Sequence, residues 1–212
     1  MTNTELLAIL RVELDDTVPT YLWSDPTLYG FIDDAQKWFC RLTYGIADAR
    51  SFTVAIAVAT SWYSVDPKIL KLRAAIDRST GLPVPLVALE NMANRGLRFD
   101  GTSGPVRALI TGMEKGKLRA CPIPNVAGTI DLHTFRLPED MAAGDDFEIE
   151  DQHVLPLMMW AKHRAYNVRD TEVYDPKLAT QCESDFRAYC ARALDEQSRL
   201  NHTAGTVAYG GL

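Results

Sequence analysis

The chain has 212 residues, of which 47% are hydrophobic and 24% are charged, and its formal net charge is −6. This composition is ordinary for a globular protein with a sizeable core, so it excludes global disorder. The acidic balance disfavours stable DNA or RNA binding, because a surface that grips phosphate is normally basic.

The N-terminus has no basic start and no long apolar run, so we predict neither a signal peptide nor a membrane span and expect the chain to be made in a reducing cytosol. The four cysteines show no CxxC spacing; they are Cys40, Cys121, Cys182 and Cys190. Buried free thiols are the favoured interpretation, with a disulfide or a metal site as the alternatives.

Two helices are predicted at the start of the chain. Thr2 and Glu5 fit a capping box, followed by leucines at helical spacing. Ser24 is a good N-cap for the second helix, and Gly45 is suited to end it. The apolar stripe of this second helix comprises Leu28, Phe31, Ile32, Ala35, Trp38, Phe39 and Leu42.

From Ser51 the apolar period changes to two, which is typical of strands. Residues 52–58 and 69–76 are predicted strands, and 129–137 alternates most clearly. Residues 106–110 and 118–122 read as a hairpin. After a turn at 77–81, residues 84–87 are predicted to return as a strand, with a short helix over 86–94 as the alternative.

The period becomes helical again after an acidic stretch. Because proline is tolerated only in the first turn, Pro156 predicts a helix that starts near Asp151 or Gln152. Asp175-Pro176 caps a final helix, whose predicted buried side comprises Leu178, Cys182, Phe186, Tyr189 and Ala193. Phe31, Trp38, Trp160 and Phe186 lie on apolar helical faces, and we expect at least three of the four to be buried.

The predicted fold class is therefore α+β, an antiparallel helical bundle from both chain ends with an inserted antiparallel β-domain. Residues 1–47 and 148–200 form the bundle in this prediction, and residues 48–147 form the β-rich insertion. Residues 201–212 are small and glycine-rich and are predicted to be a flexible C-terminal tail.

No motif for catalysis is present in the sequence. The four histidines are scattered and show no HExxH spacing, and there is no GxSxG, Walker or GxGxxG motif. Asp33 and Asp34 are adjacent on a predicted helix and would point apart. We therefore expect no catalytic residue, no cofactor and no metal site.

Large aromatic and apolar side chains outside the predicted core are candidates for partner binding. Trp23 precedes a helix cap and fits a core or an interface equally well. Val207, Tyr209 and Leu212 are apolar anchors in the glycine-rich tail. These four residues are the predicted partner-binding residues.

Two sequence blocks resemble the head–tail adaptor proteins of tailed bacteriophages. Trp23-Ser24-Asp25 followed by Phe31-Ile32-Asp33-Asp34-Ala35-Gln36 resembles that family's first long helix. Trp160-Ala161 with Arg164-Ala165-Tyr166, and then Asp170, Glu172 and Asp175-Pro176, is similar to its C-terminal helices. The order and spacing agree over nearly the whole chain, although Pro26, Tyr29-Gly30 and Pro156 depart from the family's more regular helices.

The resemblance implies a structural virion protein that is made in the host cytoplasm and placed in the neck between capsid and tail. Its partners would be the portal protein, a tail or nozzle protein, and copies of itself in a ring, commonly a dodecamer. DNA would only pass through the channel, and no membrane would be involved.

The sequence is also compatible with other function classes. Another neck or tail-completion (stopper) protein is the nearest alternative. A virion-associated cell-wall hydrolase would need a pair of carboxylates facing a cleft, and the chain offers adjacent acids only in what looks like a linker. A small-molecule-binding α+β domain would predict a monomer.

Overall fold

The structure is a computed structural model that describes residues 1–92, 101–169 and 174–201. Two compact units emerge: residues Met1–Gly45 and Pro138–Leu212 belong to unit 1, and Ile46–Leu137 is unit 2. Within the described residues, unit 1 contains the helices α1 (Asn3–Glu13), α2 (Asp25–Leu42), α3 (Leu157–Tyr166) and α4 (Pro176–Asn201). A 3-10 turn at Asp151–His153 precedes α3.

Helix α1 begins at the predicted capping box. The Thr2 hydroxyl accepts the backbone N–H of Glu5 at 3.2 Å, and the Glu5 carboxylate accepts the backbone N–H of Thr2 at 2.8 Å. These bonds satisfy donors that the start of a helix otherwise leaves without partners. Leu6 and Leu10 are fully buried on the inner face.

Helix α2 also starts at its predicted cap, where the Ser24 hydroxyl accepts the N–H of Thr27. Its buried face, however, is turned relative to the predicted stripe. Gln36 and Cys40 are buried with Leu28, Ile32, Ala35 and Phe39, whereas Phe31, Trp38 and Leu42 remain partly exposed. The apolar stripe was broader than the surface that the neighbouring elements cover.

Aromatic side chains join α2, α3 and α4. The Trp160 ring centroid lies 5.1 Å from that of Trp38 and 5.3 Å from that of Phe186. Phe186 and Trp160 are buried, but Phe31 and Trp38 are only partly so. The prediction that at least three of these four residues are buried is therefore wrong.

The two C-terminal helices differ in detail from the sequence prediction. Helix α3 begins at Leu157, directly after Pro156, and the predicted start near Asp151 is a separate 3-10 turn. On α4 the buried positions are Ala179, Phe186, Cys190 and Ala193, and the predicted inner residue Leu178 is exposed. Asp175 caps this helix as predicted, because its carboxylate accepts the N–H groups of Lys177 and Leu178.

An extended segment, residues 138–150, runs along α1 and α2. The Asn3 side chain donates to the carbonyl of Ala142 at 2.7 Å and accepts from the N–H of Gly144 at 2.8 Å. The buried amide oxygen of Gln36 accepts the N–H of Glu148. Polar side chains on both helices thus satisfy the backbone of a segment that forms no ladder of its own.

Unit 2 contains nine short strands within the described residues: β1 (Ile46–Ile56), β2 (Trp62–Ser64), β3 (Ile69–Asp77), β4 (Leu86–Ala88), β5 (Ser103–Gly104), β6 (Ala108–Thr111), β7 (Lys117–Cys121), β8 (Ile123–Pro124) and β9 (Gly128–Arg136). They pair as a three-stranded sheet in the order β1-β9-β3, a four-stranded sheet in the order β2-β7-β6-β4, and the pair β5-β8. The predicted strands at 69–76 and 129–137 and the hairpin of β6 and β7 are confirmed to within about a residue or two at their ends. The strand predicted at 52–58 is confirmed only in part, because β1 begins earlier, at Ile46, and ends at Ile56.

The core of unit 2 lies between its two larger sheets. Val54, Ala75 and Leu132 from the three-stranded sheet cluster with Leu109 and Leu118 from the four-stranded one. The inward residues of β9 alternate with more exposed ones, which is the period-two pattern that identified the strand. In β1 a register shift between Asp48 and Phe52 interrupts the ladder.

The prediction of an antiparallel helical bundle with an inserted antiparallel β-domain is wrong, although the α+β class fits. In unit 2, β4 pairs with β6 and β5 pairs with β8 in parallel. The segment expected to return beside β3 makes only a bridge there, at Ile76 and Pro83, and then joins β6. In unit 1 the helices range from 10 to 26 residues and pack with an extended segment, so no regular bundle is formed.

Candidate assembly surfaces

The loop between α1 and α2, residues 14–24, is held by a buried ion pair. The Nη1 of Arg11 lies 2.5 Å from Oδ2 of Asp16, and the two side chains are only 10% and 2% exposed. The Nη2 of Arg11 also donates to the carbonyl oxygen of Trp23 at 3.0 Å and to Oδ1 of Asp25 at 2.5 Å. One guanidinium therefore ties the end of α1 to the start of α2.

The same ion pair organises the outer part of the loop. The free oxygen of Asp16 accepts the backbone N–H of Leu22 at 2.8 Å, and the guanidinium carbon of Arg11 lies 3.9 Å from the ring centroid of Tyr21. A buried charge that loses its partner is very costly, so Arg11 and Asp16 hold the loop in one conformation. The result is a rigid loop, unlike the mobile connections that are usual at a surface.

Four apolar side chains project from this rigid loop and from the last turn of α1. Val12, Val18, Tyr21 and Leu22 are 66%, 73%, 46% and 52% exposed, and we call them the loop surface. Exposed Glu13, Asp15 and Asp25 lie beside them in the sequence. An apolar patch with a polar rim is the usual appearance of a protein–protein contact.

A second feature of unit 1 is a groove between α2 and α3 with a volume of about 420 Å³. Its walls include Phe31, Trp38, Trp160 and Arg164. The Oδ2 of Asp34 accepts the indole Nε1–H of Trp160 at 2.9 Å and the Nη1 of Arg164 at 2.8 Å. Asp34 therefore holds the side chains of Trp160 and Arg164 in the wall of the groove.

Charge pairs connect the surrounding elements. Burial alone would lower the pKa of Lys37, but the carboxylates of Asp140 and Asp33 bind its ammonium and raise that pKa. Burial likewise opposes the charge of Lys162, and its hydrogen bond to Glu13 raises the pKa of the ammonium. Both lysines remain charged and act as structural cross-links between α1, α2, α3 and the 138–150 segment.

A model of the SU10 adaptor protein family matches residues 1–208, which is nearly the whole chain. The chain belongs to the SU10 adaptor protein family. It is therefore a bacteriophage adaptor protein, a component of the virion whose family is structural in role rather than catalytic. The resemblance to phage adaptors that the two sequence blocks carried is confirmed. No curated protein matches the chain.

The adaptor brings these two blocks together in unit 1. Asp34 comes from the first block, whereas Trp160 and Arg164 come from the second, and the three side chains meet in one hydrogen-bonded bridge. Asp33 points elsewhere, to Lys37 and to the backbone N–H of Met141. The two sequence blocks that resemble phage adaptors therefore supply the residues of one hydrogen-bonded bridge.

The predicted partner-binding residues fall in different places. Trp23 is only 5% exposed, so its indole packs inside unit 1, and its carbonyl oxygen is bound by Arg11. Val207, Tyr209 and Leu212 lie outside the described residues. A role for these four residues in partner binding stays a prediction.

Sequence reasoning missed the loop surface. The signal was available in Val18, Tyr21 and Leu22, because several large apolar residues in a short polar loop have no core position to fill. The sequence alone does not show the ion pair between Arg11 and Asp16, which keeps these apolar side chains exposed.

Two histidines of unit 1, His153 and His163, have structural partners. His153 is 4% exposed, and its Nδ1 lies 2.7 Å from the hydroxyl oxygen of Tyr189. The Nδ1 of His163 donates to the carbonyl of Ala179 at 2.9 Å. Within residues 1–92, 101–169 and 174–201, no cluster of three or more metal-ligating side chains occurs. In the same part of the chain, no helix has the length and hydropathy needed to cross a membrane.

Proposed function

We propose that this adaptor forms a homo-oligomeric ring in the neck of the virion. The ring docks beneath the portal, joins the capsid to the tail or nozzle, and lines the channel through which DNA passes. Membership of the adaptor family supports an assembly role in the particle.

The rigid loop surface is the observation that carries this proposal. A monomer that acted alone would gain nothing from holding Val18, Tyr21 and Leu22 in water on a loop fixed by a buried ion pair. Such patches contribute affinity when a partner covers them, and their rigidity lowers the entropic cost of binding. The loop surface therefore fits a permanent contact with another virion subunit.

The segment 201–212 extends the proposal to the portal. Gly205, Gly210 and Gly211 oppose regular structure, while Val207, Tyr209 and Leu212 offer apolar anchors. Ordering a dozen residues costs on the order of 1–2 kcal/mol each, so a segment of this kind becomes ordered where contacts with a partner compensate. We propose that these anchors bind the portal.

The excess of acidic residues, which gives the chain a net charge of −6, supports a passive channel lining by the acidic part of the chain. DNA adsorbs to proteins through contacts of Lys and Arg with phosphate. A channel wall in which acidic residues outnumber Lys and Arg offers few such contacts. DNA would then slide through the channel without binding to its wall.

Phage particles made with altered adaptor test this proposal. Truncation after Leu200 is expected to leave DNA-filled heads that lack tails or leak DNA, because the portal contact is lost. Replacement of Val207, Tyr209 and Leu212 by serine in the full-length chain is expected to give the same defect. Normal attachment of tails in both cases would exclude a docking role for this segment.

A further inference from the structure

Charge is divided unequally between the two units of the adaptor. Unit 2 has twelve Lys and Arg against seven Asp and Glu, a formal net charge of +5, whereas unit 1 has ten against twenty-one, which gives −11. The chain as a whole is only mildly acidic because the positive net charge of unit 2 offsets part of the negative net charge of unit 1. Copies of such a chain attract one another when unlike units face each other.

Unit 1 presents the loop surface with an acidic rim. The apolar side chains of Val18 and Leu22 are the most exposed on the loop, and Glu13, Asp15 and Asp25 are the exposed charged residues nearest to them in sequence. The buried Arg11 pairs with Asp16 and also with Asp25, and Lys162 pairs with Glu13. The acidic character of this surface therefore comes from Asp15 and from the net charge of unit 1. A partner that suits this surface has an apolar centre within a basic protein.

Unit 2 has an apolar patch of this kind. Val58 and Val126 are 55% and 66% exposed, on two loops that are joined by the bond from the N–H of Ala59 to the carbonyl of Pro124 at 2.8 Å. The exposed Trp62 follows on the edge strand β2, with the guanidinium of Arg119 over its ring at 5.6 Å. We call Val58, Trp62 and Val126 the unit 2 patch.

We propose that the loop surface of one adaptor copy binds the unit 2 patch of a second copy. This inference rests on the proposed function, because it supplies the contact that a ring of identical subunits requires. The two surfaces are different parts of the same chain, so the contact is heterologous, and repeated heterologous contacts close into a ring when the rotation allows. Apolar centres and opposite net charges make the two surfaces complementary.

A mixing experiment tests the heterologous nature of the contact. The loop variant combines Val18→Ser with Leu22→Ser, and the patch variant combines Val58→Ser with Val126→Ser; all four residues are exposed, so both proteins are expected to fold. Leu178→Ser, which alters an exposed leucine on α4, is the matched control. Unchanged circular dichroism and urea midpoints would verify the fold of every variant.

The result expected by mass photometry is specific to this geometry. Wild type and the control form the ring, while each double variant alone stays monomeric. A 1:1 mixture of the two variants gives a dimer and nothing larger, because only one productive pair of surfaces remains. Where wild type forms the ring in solution, rings formed by either variant alone, or a mixture that stays monomeric, would overturn the proposal.

Cross-linking in the particle covers the case in which the ring forms only on the virion. Leu22→Cys and Val126→Cys are combined in a Cys182→Ser background, since the other three cysteines are buried. A short bismaleimide is expected to give a ladder of adaptor multimers, and replacing Leu22→Cys by Leu178→Cys should abolish it. Cross-links from position 22 to a larger virion protein would assign the loop surface to that protein and overturn the proposal.

Loss of the loop-to-patch contact and loss of the ring itself give different results in the particle. Particles that contain an adaptor ring but give no ladder would reject the loop-to-patch contact and leave the proposed function standing. Particles without any adaptor ring would reject the proposed function itself. Salt gives an independent readout of charge complementarity. An increase from about 50 mM to about 500 mM NaCl should weaken self-association by about tenfold or more. Self-association that does not depend on salt would contradict a contribution from charge complementarity.

Discussion

The carboxylate of Asp34 on α2 accepts the indole N–H of Trp160 on α3 at 2.9 Å, across 126 positions of sequence. This bond joins the two halves of unit 1, which are separated in the chain by the whole of unit 2. Arg164, one turn after Trp160, binds the same carboxylate oxygen at 2.8 Å. A single aspartate thus sets the relative position of α2 and α3.

We predict that Asp34→Ala destabilises unit 1 by about 1–3 kcal/mol, because the buried indole N–H of Trp160 loses its acceptor. Urea unfolding followed by tryptophan fluorescence measures this, since three of the four tryptophans lie in unit 1. Asp195→Ala is the control, because Asp195 pairs with Arg199 on an exposed face of α4 and is expected to cost less than about 1 kcal/mol. Equal effects of the two substitutions would mean that the bridge is not structural.

Phe186→Ala is expected to destabilise the adaptor by about 3–5 kcal/mol. Phe186 is fully buried and packs on Trp160, so its removal leaves a cavity among α2, α3 and α4. Phe31→Ala removes the same side chain from a partly exposed position and should cost clearly less. Chemical denaturation of both variants makes the comparison, and a Phe186→Ala protein within about half a kcal/mol of wild type would contradict the described core.

The sequence predicted the parts of the fold that depend on local rules. The Thr2–Glu5 capping box, the Ser24 cap and the alternation of β9 all appear where short-range chemistry places them. It failed where long-range contacts decide. Strand β4 has no local signal for a parallel partner, and the buried Gln36 on α2 is explained only by the backbone of Glu148, which it binds.

The candidate site was predictable to a smaller degree. The two blocks that resemble phage adaptors contain Asp34, Trp160 and Arg164, and the sequence related them only by order and spacing. Trp23 was an equal choice between core and interface, and burial against the Arg11 clamp places it in the core. Val18 and Leu22 stand out in the sequence as large apolar residues in a polar loop, but only the Arg11–Asp16 pair explains why they stay exposed.

We predict that Asp16→Ala destabilises the adaptor by about 1–3 kcal/mol, because the buried guanidinium of Arg11 loses Asp16 while it keeps its bond to Asp25. The loop surface should also lose its order, since Asp16 binds the N–H of Leu22. Hydrogen exchange at residues 17–23 measures the second effect and is expected to accelerate. Asp15→Asn is the control, because this exposed neighbouring residue has a positive φ that asparagine tolerates. Unchanged exchange in the Asp16 variant would refute the clamp.

Asp48 is expected to make unit 2 acid-sensitive. Burial alone would raise the pKa of Asp48, but hydrogen bonds from Ser51, from the backbone N–H of Arg50 and from the Arg136 side chain hold that pKa well below its usual range. Because the folded-state pKa is depressed, the stabilisation is complete above the unfolded value of about 4 and is lost as the pH falls below it toward the folded pKa.

Asp48→Asn therefore reduces stability at pH 7 by about 1–3 kcal/mol and reduces the further loss between about pH 4 and pH 2.5. Urea midpoints across this range measure both effects. Other carboxylates contribute to the acid sensitivity, including Asp131, whose pKa is lowered by its bond to Arg78, so the residual slope is not zero. An identical pH profile for wild type and variant would show that Asp48 does not contribute.

Electron cryo-microscopy of intact virions tests the central claim most directly. The account predicts a closed ring of this adaptor in the neck, in contact with the portal on one side and with a tail or nozzle protein on the other, around an open DNA channel. Adaptor density at another site in the particle, or present as isolated copies that contact neither the portal nor each other, would contradict it.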